Sequence, residues 1–147
     1  MRLFSQDAKV QALRRAPLFA DLSDKELTEV ARLADDADVS AGTVLCREGE
    51  TGQEFFVVVE GEAEFIRDGR VLPIDGPVDF FGEISMVEHV PRLATVTAKT
   101  DMRFFVLGHR EFHTLMDDNP AIERKVMRAL ARRLLAVVKA EEHPTIA

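Results

Sequence analysis

Tryptophan and tyrosine are absent from this sequence, and cysteine occurs once. A single thiol excludes an intrachain disulfide. Cys46 stands in the apolar stretch Val44-Leu45-Cys46, where a buried structural thiol without a redox role is the expectation. Long hydrophobic runs are missing as well: the longest, Phe55 to Val59 and Leu134 to Val138, have five residues, against the roughly 20 that a membrane-spanning helix requires. The N-terminus, Met1 to Lys9, lacks the apolar run of about 7 to 15 residues that marks a secretory signal. No membrane span and a cytoplasmic location are therefore expected. Basic charge is also in short supply, 19 Lys and Arg against 26 Asp and Glu, and the net charge of −7 opposes nonspecific association with nucleic acid or anionic lipid.

What is present fits one globular domain over residues 1–147, with 46% hydrophobic and 31% charged residues. Residues 1–36 read as a helical cap. Ser23-Asp24-Lys25-Glu26 forms a capping box, with Leu22 and Leu27 as the hydrophobic staple and Val30 and Ala31 at helical spacing beyond it. Val10, Leu13, Leu18 and Phe19 predict a short helix before it, ending near Pro17. Residues 37–108 change to short apolar or alternating runs, such as Ala63 and Phe65 alternating with Glu62 and Glu64. Turn signals at Glu48-Gly49, Thr51-Gly52, Glu60-Gly61, Asp68-Gly69 and Asp75-Gly76 punctuate them. These predict strands with one wet face in an antiparallel β-roll or jelly-roll barrel. Helical spacing returns over residues 109–141, where Asn119-Pro120 reads as an N-cap followed by a first-turn proline. Ile122, Val126, Leu130, Leu134, Val137 and Val138 form the apolar side of the last helix, and residues 142–147 are a tail. The predicted class is α+β, mainly β: a roll flanked by N-terminal helices and C-terminal amphipathic helices.

Charge is unevenly placed. Residues 123–139 hold six basic side chains against Glu123 alone, a local +5 that leaves −12 elsewhere. An anionic ligand in that acidic remainder needs a preorganised site. Phe80-Phe81-Gly82-Glu83-Ile84-Ser85-Met86-Val87, followed by Pro91-Arg92-Leu93-Ala94-Thr95-Val96, reads as such a site. Gly82 permits close backbone approach, and amides from Ile84 and Ser85 can open a helical turn toward a phosphate. Arg92 supplies a fork of donors and one positive charge. Glu83 cannot hold phosphate, but a carboxylate beside a phosphate site can accept a sugar hydroxyl. Phosphate with ribose means a nucleotide.

These residues resemble the cyclic nucleotide-binding domain family, which includes catabolite-activator-type transcription factors, regulatory subunits of cyclic-nucleotide-dependent kinases and gated channels. Residues 80–96 are similar to its phosphate-binding cassette. Pro17-Leu18-Phe19, the turn Arg47-Glu48-Gly49-Glu50, the strand from Phe55 to Val59, Asp68-Gly69 and the final amphipathic helix extend the likeness to residues 16–138. The resemblance implies that Glu83 binds the ribose 2′-hydroxyl and Arg92 the cyclic phosphate. The Ser85 and Leu93 amides complete the cradle, and Phe81, Gly82, Ile84 and Ala94 shape it. Leu93 stands where the family usually has Ala, Ser or Thr and cannot make the guanine contact of a threonine there, so cAMP is expected over cGMP. With no Trp or Tyr, the base cap falls to aliphatic residues of the last helix, Leu134, Leu135 or Val138.

The expected role is a non-enzymatic regulatory sensor without a cofactor, whose C-terminal helix moves on binding to signal to a separate protein effector or within a homodimer formed through that helix. Only residues 143–147 lie beyond Glu142, so no direct DNA binding is expected. The alternative is an interaction module with a vestigial pocket, in which Arg92 merely pairs with Glu88 or Glu83 at the surface. His109 and His113, four apart, make a weak metal signal without a third ligand. The arginines of the last helix are expected to be solvated.

Overall fold

The computed structural model describes residues 6–73 and 78–142; the turn signal Asp75-Gly76, the first five residues and the tail from 143 lie outside the described residues. Helix α1 (Gln6–Arg14) stops earlier than the pattern suggests, and Pro17–Phe19 form a separate turn of 3-10 helix. The proline is the reason: it holds Ala16 in extended geometry at ψ 124°, where helix cannot continue. Helix α2 (Asp24–Leu33) begins as expected, with the Ser23 side chain accepting from the Glu26 amide and the Glu26 carboxylate accepting from the Ser23 amide.

The chain then enters β1 (Asp35–Val39), an acidic strand without apolar alternation. It lies at the edge of its sheet, pairs with β8 (Met102–Gly108) and sets Asp36 against Arg103. Charges on an edge strand protect it from further pairing. Strands β2 (Val44–Cys46), β3 (Glu54–Glu60), β4 (Ala63–Arg67), β5 (Arg70–Val71), β6 (Phe80–Phe81) and β7 (Thr95–Ala98) complete two antiparallel four-stranded sheets, ordered β1-β8-β3-β6 and β2-β7-β4-β5. The predicted jelly roll is present, but the described strands form two facing sheets and not a closed barrel. The β4–β5 hairpin turns on Asp68 and Gly69, both at positive φ, 51° and 75°, the geometry of a type I′ turn.

One sheet departs from the expectation of a wet face. In β3, Phe55 and Val57 join a core beneath the helices, while Phe56 and Val58 join a second core between the sheets. Phe105 and Leu107 of β8 likewise belong to the helix-side core and Phe104 to the inter-sheet core. A strand covered on both faces has no need of alternation, which explains the unbroken run Phe55 to Val59. The expected alternation survives in β7, where Val96 and Ala98 are buried and Thr95 and Thr97 partly exposed.

Three helices complete the fold: α3 (Glu83–Val87), α4 (His109–Asp118) and α5 (Pro120–Glu142). Asn119 holds the predicted N-cap position before Pro120, but its side chain does not cap α5. Its side-chain amide donates to the Leu115 carbonyl at the end of α4, while its own carbonyl receives the Ile122 and Glu123 amides of α5. Ile122 and Val126 anchor the start of α5 in the helix-side core, whereas Leu134, Leu135, Val137 and Val138 are exposed. No described helix is long and apolar enough to cross a membrane.

Candidate functional site

Phe80 and Phe81 pair with Val57 and Phe56 of β3, and Phe81 stacks on Phe56 at 4.5 Å between centroids. This fixes the entry to the segment that follows. Gly82 then turns the chain into α3 at φ 92°, a conformation that L side chains rarely adopt. A Cβ here would stand 2.6 Å from the Glu54 carbonyl oxygen and 3.0 Å from Arg92 Nη1, so glycine is demanded by both conformation and space. Glu83, Ser85 and Arg92 are the buried polar residues of the described chain, and all three line one cleft of about 480 Å³ together with Gly82, Leu93 and Ala94. That volume lies within the range of small-molecule sites, about 300–1,000 Å³.

Arg92 is 6% exposed. Its backbone is clamped by the turn before β3: the Arg92 amide donates to the Glu50 carbonyl at 2.9 Å and its carbonyl accepts from the Gly49 amide at 2.8 Å. Its guanidinium lies 5.9 Å over the Phe56 ring. Nη2 donates to the Glu54 carbonyl at 2.9 Å and to the Glu54 carboxylate at 3.3 Å. The alternative pairing with Glu88 or Glu83 is therefore not what the structure contains. Nη1 is buried with no hydrogen-bond partner among the described residues. Gly52 accommodates the same side chain, since a Cβ at that position would lie 2.0 Å from Arg92 Nε.

Glu83 is 2% exposed. One carboxylate oxygen accepts from Arg133 Nη1 of α5 at 2.5 Å, and the other, Oε2, has no partner among the described residues. Arg133 also donates to the Phe80 carbonyl and lies 4.7 Å over the Phe80 ring. The cleft thus contains two residues with unsatisfied buried atoms of opposite kind, a cationic donor and a carboxylate acceptor. Burying such atoms without partners is costly, and a ligand with an anionic oxygen and a hydroxyl would satisfy both.

Leu93 and Ile84 line the cleft as exposed side chains, and the Leu93 carbonyl accepts from Arg67 Nη1 at 2.7 Å. Of the three residues expected over the base, Leu134 lines the cleft at 65% exposure; Leu135 and Val138 do not, and Leu130 and Val137 stand there instead. Arg133, Arg67 and Glu54 were not expected at the site. For Arg133 a signal existed: it falls three residues after Leu130 and four before Val137, on the inward side of the helix. Cys46 also borders the cleft, and burial raises its thiol pKa against the lowering influence of Arg92. His113 bonds through Nε2 with the Met86 carbonyl of α3 at 2.9 Å, and the His109 ring stacks on His89 while lying tilted, at 57°, against His113. Among the described residues no group of three or more His, Cys, Asp or Glu side chains is placed to hold a metal ion.

The family model described as cyclic nucleotide-binding domain matches residues 37–119, more than half of the chain. The chain is 36% identical over 106 residues to a cAMP-dependent protein kinase regulatory subunit of Yarrowia lipolytica, covering 71% of this chain and 28% of that protein. It is 30% identical over 129 residues to a CRP-like cAMP-activated global transcriptional regulator of Mycobacterium tuberculosis, covering 84% and 58%. In both cases the chain spans less than two thirds of the relative's own length. The fold also matches a solved structure described as cAMP-bound PfPKA-R, with a TM-score of 0.79 at 24% identity, covering 92% of this chain and 47% of that one.

Proposed function

The chain belongs to the cyclic nucleotide-binding domain family, and from that premise we propose that it is a regulatory sensor that binds cAMP in preference to cGMP and signals through α5. The observation that carries this reading is the pair of unsatisfied buried atoms, Arg92 Nη1 and Glu83 Oε2, on residues of one cleft. Arg92 takes the cyclic phosphate through its free Nη1, with the Ser85 and Leu93 amides beside it. Glu83 accepts the ribose 2′-hydroxyl on its free oxygen. Phe81, Gly82, Ile84 and Ala94 form the walls. Leu93 offers guanine no hydroxyl, which favours adenine.

Leu134 is a large apolar side chain left open at the rim of the cleft. A base seated beneath α5 buries it, and Leu135 and Val138 come into reach only if the helix moves further over the base. Burial of apolar surface at about 25 cal/mol per Å² is what makes the ligand prefer the closed arrangement. A ligand shifts the helix only by that difference in affinity. The role is binding and not catalysis, and the signal passes to a protein effector or across a homodimer formed through the apolar residues of α5. The net charge of −7 disfavours DNA as that partner.

Calorimetric titration with cAMP and with cGMP, with Arg92→Ala as control, tests the reading. Micromolar or tighter binding of cAMP, weaker binding of cGMP and at least about a tenfold loss in the variant are expected. No heat with either nucleotide, together with an unchanged melting temperature at millimolar ligand, means that the pocket is vestigial.

A further inference from the structure

Arg133 lines a second, smaller cleft of about 300 Å³, bounded by Pro17 and Leu18, the segment Val78-Asp79-Phe80 and one side of α5. Four cations of α5 stand there, Lys125, Arg128, Arg132 and Arg133, against a single carboxylate, Asp79. Two of the four are engaged elsewhere: Lys125 pairs with Asp21 at 2.9 Å, and Arg133 with Glu83. Arg128 and Arg132 hold no hydrogen bond or ion pair among the described residues. They are four apart on one helix, the spacing at which like charges repel. Residues 124–139 contain no acidic side chain that could relieve them from within the helix. A solvated helix face ordinarily alternates charge, whereas here cations accumulate at a concavity in a chain of net charge −7.

We propose that this cleft is a second anion site, distinct from the cyclic nucleotide site, and that it takes a small anion with adjacent phosphate groups. Two free guanidinium forks match two neighbouring phosphates, each fork donating to a pair of oxygens. A cyclic monophosphate, with one negative charge, offers too little for the two guanidiniums left without partners. Asp79 sets a limit of its own, because it repels any anion that extends to that wall.

The experiment is calorimetric titration of the whole chain with inorganic pyrophosphate at constant ionic strength, for the wild type and for R128Q/R132Q. Saturable one-to-one binding is expected, weakening as salt is raised, and weaker by about tenfold or more in the double variant. The melting curve without ligand reports whether the double variant folds. If it does not, R128K and R132K replace it; lysine keeps the charge and loses the fork, so each should weaken binding. Absence of saturable heat at millimolar pyrophosphate overturns the proposal. So does equal affinity in wild type and variants, the result expected if pyrophosphate entered at Arg92 instead. No cyclic nucleotide enters this titration, so its outcome is independent of the function proposed above.

Discussion

Glu83 and Arg133 are separated by 50 residues of sequence, yet the Arg133 guanidinium donates to the buried Glu83 carboxylate at 2.5 Å. This contact ties α5 to the cassette and supplies the positive partner that a carboxylate at 2% exposure needs. Arg133→Ala leaves that carboxylate without its donor, and the expected loss of stability is about 1–3 kcal/mol. For a domain of this size the loss appears as a melting temperature about 3 to 9 °C lower. In a Glu83→Gln background the same substitution should cost less, with a coupling of about 0.5–3 kcal/mol in a double-mutant cycle. Additive effects would show that the two side chains do not support one another.

Arg92→Lys separates charge from geometry. In the structure Nη2 holds the Glu54 carbonyl while Nη1 remains free, so one guanidinium can serve the scaffold and a phosphate together. A single ammonium lacks the rigid fork needed for both tasks. Binding of cAMP weaker by about tenfold or more is expected by calorimetry, at a melting temperature near that of the wild type. Wild-type affinity in the lysine variant would mean that charge alone suffices at this position.

Much of this fold was legible because its signals are local. The Ser23–Glu26 capping box and the Asp68-Gly69 turn need only neighbouring residues to act, and both are present. The Gly82-Glu83 and Arg92 segments could be read as one site because each residue type has a restricted chemistry. Contacts that depend on where distant elements land were not legible. Nothing near Arg92 in sequence points to Glu54, which stands 38 residues earlier at the start of β3. Arg133 belongs to a run of arginines whose other members have different surroundings, and only its phase relative to Leu130 and Val137 sets it apart. The roll begins two residues earlier than expected, at Asp35 and Asp36 of β1, because the strand's partner, β8, supplies the pairing that this acidic start does not favour.

Gly52→Ala tests the packing around Arg92 from outside the cassette. Gly52 needs no positive φ, so alanine is tolerated by the backbone, but its Cβ would lie 2.0 Å from Arg92 Nε and must push that side chain aside. Loss of cAMP affinity with little loss of stability is the expected outcome. Gly69→Ala provides the opposite control: φ is 75° with no atom within 4 Å of an added Cβ. It should cost about 1 kcal/mol of stability from backbone strain and leave binding unchanged. Calorimetry and thermal melts on the two variants check both halves, and unaltered binding in Gly52→Ala would remove the proposed coupling through Arg92.

Cys46 offers a pH-dependent readout at the edge of the same cleft. Burial raises its thiol pKa, with Arg92 as the opposing influence, so the protonated thiol belongs to the folded state. A group whose pKa is raised on folding contributes stability that is complete below its unfolded value and is lost as pH rises through the folded one. Stability should therefore begin to fall from about pH 8.5, the ordinary thiol range. Cys46→Ala should remove this component, and chemical denaturation at neutral and alkaline pH measures it. The same shift leaves less thiolate than an ordinary cysteine has, and thiolate is the species that reacts. Alkylation by iodoacetamide at pH 8 should then be slower in the native chain than in the unfolded one, and slower still with cAMP bound, since Cys46 borders the cleft. Native alkylation as fast as that of the unfolded chain would contradict the burial that raises the pKa, and rates indifferent to cAMP would place the ligand away from Cys46.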